Sequence, residues 1–264
     1  MHRQVDPSHG SAKEPCEPAD SRRPAWRPAR QRAGAWSRIA LCRFCDIFCQ
    51  NSGSTQQQQP VPLALGWEPG MNLIHRCLCR SASWRKVLED FVVPWTLADV
   101  QLGNDVLELG PGHGLTTDLL RSRLPRITAL EIDPALARSL AARLRESNVT
   151  VVQGDATAMP LDDAQFSGAV CLHMLHHVHS AELQDKLFRE VWRVLRPGAF
   201  FVGVDSLGLQ SLSMRLMHIG DTLVRVNPDT LGARLEAAGF RDIRLEANRY
   251  AFRFRGRRPC GATE

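Results

Sequence analysis

The sequence predicts a doubly wound α/β domain set behind an N-terminal segment of different character. From Met71 onward, strand-like apolar runs alternate with stretches whose apolar residues recur at helical spacing, and those stretches begin and end on capping residues. An apolar share of 44% in 264 residues is also enough to bury one large core.

Residues 1–70 show neither pattern. They are rich in Pro, Arg, Gln and Ser, with a run at Gln56, Gln57, Gln58 and Gln59, and they lack the apolar content that would offset the entropy of ordering a chain. The expectation is a disordered extension, or one that precedes the natural start at Met71. Half of the eight cysteines lie here, but Cys42, Cys45 and Cys49 lack a fourth ligand at zinc spacing, so no metal site is expected. The first thirty residues carry no apolar stretch of signal-peptide type, and no apolar run approaches the roughly 18–20 residues that cross a bilayer. That predicts a cytoplasmic protein without a membrane span, its cysteines free thiols.

Apolar residues recur at helical spacing from Asn72 to Trp95, up to the breaker Pro94. Strands are expected at 105–109, 127–131, 149–152, 167–172 and 199–205. Asp133 and Pro134 start a helix that stacks Leu136, Leu140 and Leu144 on one face. Ser180 starts another with Leu183, Leu187, Phe188, Val191, Val194 and Leu195 on one side, ended by an Arg196-Pro197-Gly198 turn. A third begins at Asn227-Pro228, turns Leu231 and Leu235 inward and ends at Gly239. Two runs, 241–247 and 249–256, complete seven strands as a hairpin, the second alternating Tyr250, Phe252 and Phe254 with Ala251, Arg253 and Arg255.

Val106-Leu107-Glu108-Leu109-Gly110-Pro111-Gly112-His113-Gly114 is an apolar strand running into a glycine-rich turn and a helix. Glycine lets backbone approach a ligand, and the helix start offers N–H groups to an anion. A dinucleotide fingerprint requires G-x-G-x-x-G, whereas Leu115 stands at its third glycine position and Gly114 completes G-x-G-x-G, which counts against a dehydrogenase. About twenty residues on, Glu131 ends a strand where a carboxylate accepts hydrogen bonds from both ribose hydroxyls of an adenosine. Gln153-Gly154-Asp155-Ala156 follows the third strand, placing Asp155 for an adenine amino group and Ile132, Ala156 and Met159 for the faces of the ring.

The strings VLELGPGHG, ALEID, QGDATAMPL, FSGAVCLHMLHHV and LRPGAFF, in that order, resemble the class I S-adenosylmethionine-dependent methyltransferases, in the small-molecule, type 11-like group that includes quinone and sterol methyltransferases. The resemblance is strong over 104–205 and loose over the rest of a domain running 71–258, with 259–264 as a tail. It implies a Rossmann-like seven-stranded sheet whose last strand is antiparallel, and S-adenosyl-L-methionine as cofactor. It places Glu108, Gly110, Pro111, Gly112 and Gly114 around the methionine end, and it gives Glu131 the ribose and Asp155 the adenine.

The expected reaction is in-line methyl transfer to an unidentified small, apolar acceptor. His173 is the candidate base, ahead of His176 and His177, because the run lies just past the fourth strand, where the family places its acceptor. The insert from Leu207 to Val226, with three methionine or histidine side chains among its leucines, is a candidate lid. Two alternatives stay open: a nicotinamide-dependent oxidoreductase, and a cofactor-binding pseudoenzyme. A net charge of +5, spread along the chain, makes no demand for nucleic acid, and Arg253, Arg255, Arg257 and Arg258 read as a solvated edge.

Overall fold

The computed structural model describes residues 80–207 and 223–261. The N-terminal extension with its cysteine cluster, the first third of the helix expected over 72–95 and most of the candidate lid lie outside the described residues.

The described chain begins with helix α1 (Ala82–Val87), which passes through a π-turn over Leu88–Val92 into α2 (Val93–Thr96). Pro94 therefore does not end the helix. The π register lets Val93 N–H reach the Leu88 carbonyl, and the proline then occupies the first turn of α2, where an N–H is not required. Strand β1 (Asp105–Leu109), α3 (Leu115–Arg121), β2 (Arg126–Glu131), α4 (Pro134–Arg143) and β3 (Val149–Gln153) follow. Next come β4 (Phe166–Leu172), a 3-10 turn (Leu175–His177), α5 (Ala181–Val194) and β5 (Leu195–Ser206). Helix α6 (Pro228–Ala237), β6 (Arg241–Ala247) and β7 (Ala251–Arg257) close the domain.

The seven strands form one sheet in the order β3-β2-β1-β4-β5-β7-β6, parallel except for β7, which is antiparallel to both β5 and β6. The predicted caps set the helices. Asp133 accepts from the Ala135 and Leu136 N–H groups, Ser180 from Leu183 and Asn227 from Asp229. Period-two alternation then divides the core between the two faces. Leu107, Leu109, Phe201 and Phe254 pack under α5 and α6, while Val106, Ile127, Val170 and Val202 pack under α2, α3 and α4. No described helix is long and apolar enough to cross a membrane.

Three expectations need correction. The Arg196-Pro197-Gly198 segment is not a turn ahead of β5 but a bulge within it. Leu195 already pairs with Phe166, and the register then jumps to Gly168 opposite Phe200 around Gly198 at φ +83°. The β7 arginines are not a solvated edge, because β7 lies between β5 and β6. Arg253 bonds the Trp95 carbonyl and Glu246, Arg255 donates to the Asp99 carbonyl, Arg257 to Gly198, and Arg258 to Trp192 and Arg193. Finally, Cys171 is a free thiol buried in β4, whereas the exposed Cys260 is disulfide-bonded. A thiol inside a strand core meets no second thiol; one at the surface end of the chain can.

Candidate cofactor and acceptor site

Gly110, Gly112 and Gly114, between β1 and α3, all have positive φ, at +62°, +55° and +80°. A Cβ on Gly110 would come within 2.4 Å of Met174 Cγ, and one on Gly114 within 2.4 Å of both Arg143 Nη2 and Leu140 Cδ1. Glycine is thus required for space as well as conformation. The loop is pressed against α4 on one side and against the turn that follows β4 on the other.

Glu131, at the end of β2, fastens three segments together. Its Oε2 accepts the Gly112 N–H at 2.8 Å and its Oε1 the Asp133 N–H at 3.0 Å, while its main-chain carbonyl accepts the Gly154 N–H at 3.0 Å. The glycine loop, the turn after β2 and the turn after β3 therefore meet at one buried residue, the first two on its carboxylate and the third on its carbonyl. Burial pushes its carboxyl pKa up, and the Asp133 and Gly112 N–H groups oppose that rise.

Glu108, on β1, accepts the Thr116 hydroxyl on Oε1 at 2.5 Å, and its buried Oε2 has no hydrogen-bond partner. Burial pushes its pKa up to about 7, the Thr116 and Thr117 hydroxyls opposing and the Asp118 and Glu131 carboxylates adding to the rise. An unsatisfied buried acceptor costs free energy, so this atom fits a ligand that brings a donor.

Ile132 is 57% exposed, the one large apolar side chain so placed among the described residues. Asp155 is exposed and folds its turn by accepting the Thr157 N–H at 2.8 Å, with Ala156 half-buried behind it. Met159, expected beside the ring, lies in the core instead, because its N–H is drawn to Glu190 on α5 at 2.8 Å.

Past β4 the three histidines take different positions. His173 turns at φ +53°, edge-on to Trp84 of α1 with ring centroids 5.5 Å apart, its Nδ1 3.2 Å from Ser206 Oγ. Burial pushes its pKa down to about 4. His176 is 3% exposed, and its Nδ1 lies 2.6 Å from Oδ1 of Asp205, which is wholly buried at the end of β5. Asp205 Oδ2 also accepts the His176 main-chain N–H at 3.1 Å. Although burial favours its neutral form, His176 holds the Asp205 carboxyl below its usual range. The His177 ring packs on His176 at 4.2 Å.

Residues 107–203 match the family model described as methyltransferase domain. The chain carries a class I S-adenosylmethionine-dependent methyltransferase domain. The chain is 33% identical over 111 residues to a Mycolicibacterium smegmatis protein named "probable S-adenosylmethionine-dependent methyltransferase", covering 42% of this chain and 41% of that one. It is 28% identical over 147 residues to the sterol methyltransferase-like 3 of Botryococcus braunii, covering 53% and 36%. It is 29% identical over 151 residues to the ribosomal RNA small subunit methyltransferase A of Leptothrix cholodnii, covering 51% and 54%. The chain thus matches between about a third and about half of these relatives' lengths. Among solved structures, the CurJ carbon methyltransferase superposes with a TM-score of 0.55 at 14% identity, covering 70% of this chain and 57% of that one, a likeness of fold.

The matched part of the methyltransferase domain takes in Glu108, the glycine loop, Glu131, Asp155 and the histidine run, but ends before Asp205 and Ser206. Neither of those two has a role that the sequence alone assigns. A signal for Asp205 was there nonetheless: it closes an apolar strand as Glu131 does.

Proposed function

We propose that the chain transfers the methyl group of S-adenosylmethionine to a small apolar acceptor, with the cytoplasm as its location. The observation that carries this reading is the junction at Glu131, which brings three ligand-approach segments to one sheet edge within a methyltransferase domain. In the proposal Gly110, Pro111, Gly112 and Gly114 surround the methionine end, and Glu108 Oε2 accepts from its ammonium. Glu131 takes the ribose hydroxyls with the lone pairs its two N–H donors leave unused. Asp155 accepts from the adenine amino group, and Ile132 and Ala156 cover the faces of the ring.

The bound cofactor supplies a sulfonium methyl with a good leaving group, so the protein's work is to orient the acceptor and exclude water. Trp84 beside His173 and Met174 beside Gly110 are apolar neighbours of the turn after β4, which supports an apolar substrate. The ribosomal RNA relative favours a nucleic-acid acceptor instead, but the β7 arginines bond the protein's own carbonyl groups rather than forming an open basic face. His173 as base has less support than its sequence position promised, because an imidazole held at about 4 has little affinity for a proton at neutral pH.

Equilibrium binding of S-adenosylmethionine to Asp155→Ala tests the site. The expected result is at least about a tenfold loss of affinity, the weight of one hydrogen bond to a polar group; undiminished affinity would contradict the adenine assignment.

A further inference from the structure

We propose that the chain has a second ligand site, at the edge of the sheet opposite the glycine loop, and that it takes an organic anion whose carboxylate or phosphate sits on a polyol body. The proposal does not depend on the methyltransferase reading above.

The site is an open cavity of about 410 Å³ at the amino ends of the strands, with Asp105, Arg126, Thr128, Thr150, Gln165 and Arg196 in its wall. The β3–β4 connection over 154–165 forms no helix, so this part of the sheet stays open, with Thr150 exposed and Thr128 half-buried. Register sets Asp105 beside Arg126 and Thr128 beside Thr150, and alternation along β2 puts Arg126 and Thr128 on one face. The glycine loop follows the far end of β1, so the two sites do not overlap.

Two guanidiniums share one carboxylate here. Arg126 Nε donates to Asp105 Oδ1, and Arg196 Nη1 lies 3.1 Å from Asp105 Oδ2. The Arg126 hydrogen bond holds the Asp105 carboxyl below its usual range, with burial opposing and Arg196 adding to the effect. Both oxygens of Asp105 are therefore engaged, the trio keeps a net positive charge, and each guanidinium has N–H donors beyond the one spent on Asp105. The two arginine side chains are 69% and 47% exposed, so a ligand can reach those donors.

Pinning β1 to β2 needs only Arg126. Arg196 brings a like charge close to the first, and an anion held by both relieves that repulsion. Because Asp105 already orients the two long side chains, a ligand meets a preformed pair and avoids much of the cost of ordering them. Planar guanidiniums also match the paired oxygens of a carboxylate or phosphate.

The rest of the wall selects the body of the ligand. Gln165 Oε1 accepts the Asp162 N–H at 3.2 Å, which leaves its NH2 group as a donor, and Thr128 and Thr150 offer neighbouring hydroxyls. The aromatic residue of the wall, Phe166, is 2% exposed, so no ring is open for a base to stack on. Hydroxyl and amide groups around a cation pair suit a sugar phosphate or a sugar acid, and the volume lies within the range of small-molecule sites.

Calorimetric titration of the full chain at fixed ionic strength, with glucose 6-phosphate, gluconate and glucose as ligands, tests this. Saturable one-site binding of glucose 6-phosphate or gluconate is expected, with Kd about 1 mM or tighter, and no binding of glucose. The tighter of the two anions tells phosphate from carboxylate. Arg126→Gln and Arg196→Gln should each weaken binding at least about tenfold, the weight of a hydrogen bond to a charged group. Thr150→Val keeps both ion pairs and should weaken it about two- to tenfold. Arg189→Gln, at an exposed position of α5, should bind as the wild type does, and saturating S-adenosylmethionine should not displace the anion. Binding of neither anion, or of glucose as tightly as either, would overturn the proposal. So would wild-type affinity in both Arg126→Gln and Arg196→Gln, an equal loss in Arg189→Gln, or displacement by S-adenosylmethionine. Wild-type affinity in Thr150→Val would overturn the polyol assignment.

Discussion

Glu131 Oε2 accepts the main-chain N–H of Gly112 across 2.8 Å, so a carboxylate ending the second strand holds the glycine loop that follows the first. With Asp133 on the other oxygen, each carboxylate oxygen already holds one backbone donor before any ligand arrives. Glu131→Gln turns an amide NH2 toward one of those N–H groups. The expected cost is about 1–3 kcal/mol of stability, the penalty of an unsatisfied buried donor, with at least a tenfold loss of cofactor affinity. Urea unfolding and calorimetry check both, and a variant matching wild type in each would remove Glu131 from the junction.

Glu108 gives a pH dependence of defined sign. Its carboxyl titrates at about 7 in the fold against an ordinary 4.5, so the native state binds the proton more tightly than the unfolded chain does. Stability from this group is greatest below pH 4.5, falls as pH rises from there to about 7, and is level above. Glu108→Gln is expected to flatten that slope and to raise stability at pH 8 by on the order of a few kcal/mol, while weakening cofactor binding. Unfolding curves from pH 4 to 8 measure it; an unchanged slope would contradict the assignment.

Gly114→Ala is expected to destabilise by more than the roughly 1–2 kcal/mol of a left-handed alanine, since the added Cβ also meets Arg143 and Leu140. Thermal melts with and without S-adenosylmethionine test this, and an unshifted melting temperature would refute it.

Arg253 holds α2 to the sheet through the Trp95 carbonyl and ring and through Glu246. Arg253→Ala is expected to lose about 1–2 kcal/mol of stability through that contact, with no change in the salt dependence of any RNA binding. A changed salt slope at wild-type stability would favour a nucleic-acid face.

Much of the domain was legible because its signals are local. Asp133, Ser180 and Asn227 name their own helix starts, and alternation along 251–257 fixes which residues face the core. The glycine loop was legible because Gly110, Gly112 and Gly114 directly follow an apolar strand, where backbone at positive φ has to turn tightly into a helix. What escaped depends on partners distant in sequence. Asp205 acquires a role only because β4 and β5 are neighbours, which brings it to His176 across 29 residues. The β7 arginines looked like a free edge because nothing in 251–257 says that the strand is flanked on both sides or that Trp95, 158 residues away, offers its carbonyl. Leu195 continues the apolar face of α5 in the sequence, yet Phe166 pairs with it in the sheet.

Calorimetric titration of the full chain with S-adenosylmethionine, with NADH as the parallel ligand, tests the cofactor site most directly. The expected result is saturable one-site binding of S-adenosylmethionine, no heat from NADH, and an apparent enthalpy that varies with the buffer near pH 7 as Glu108 gives up its proton. Binding of NADH alone, or of neither ligand, would contradict the methyltransferase reading.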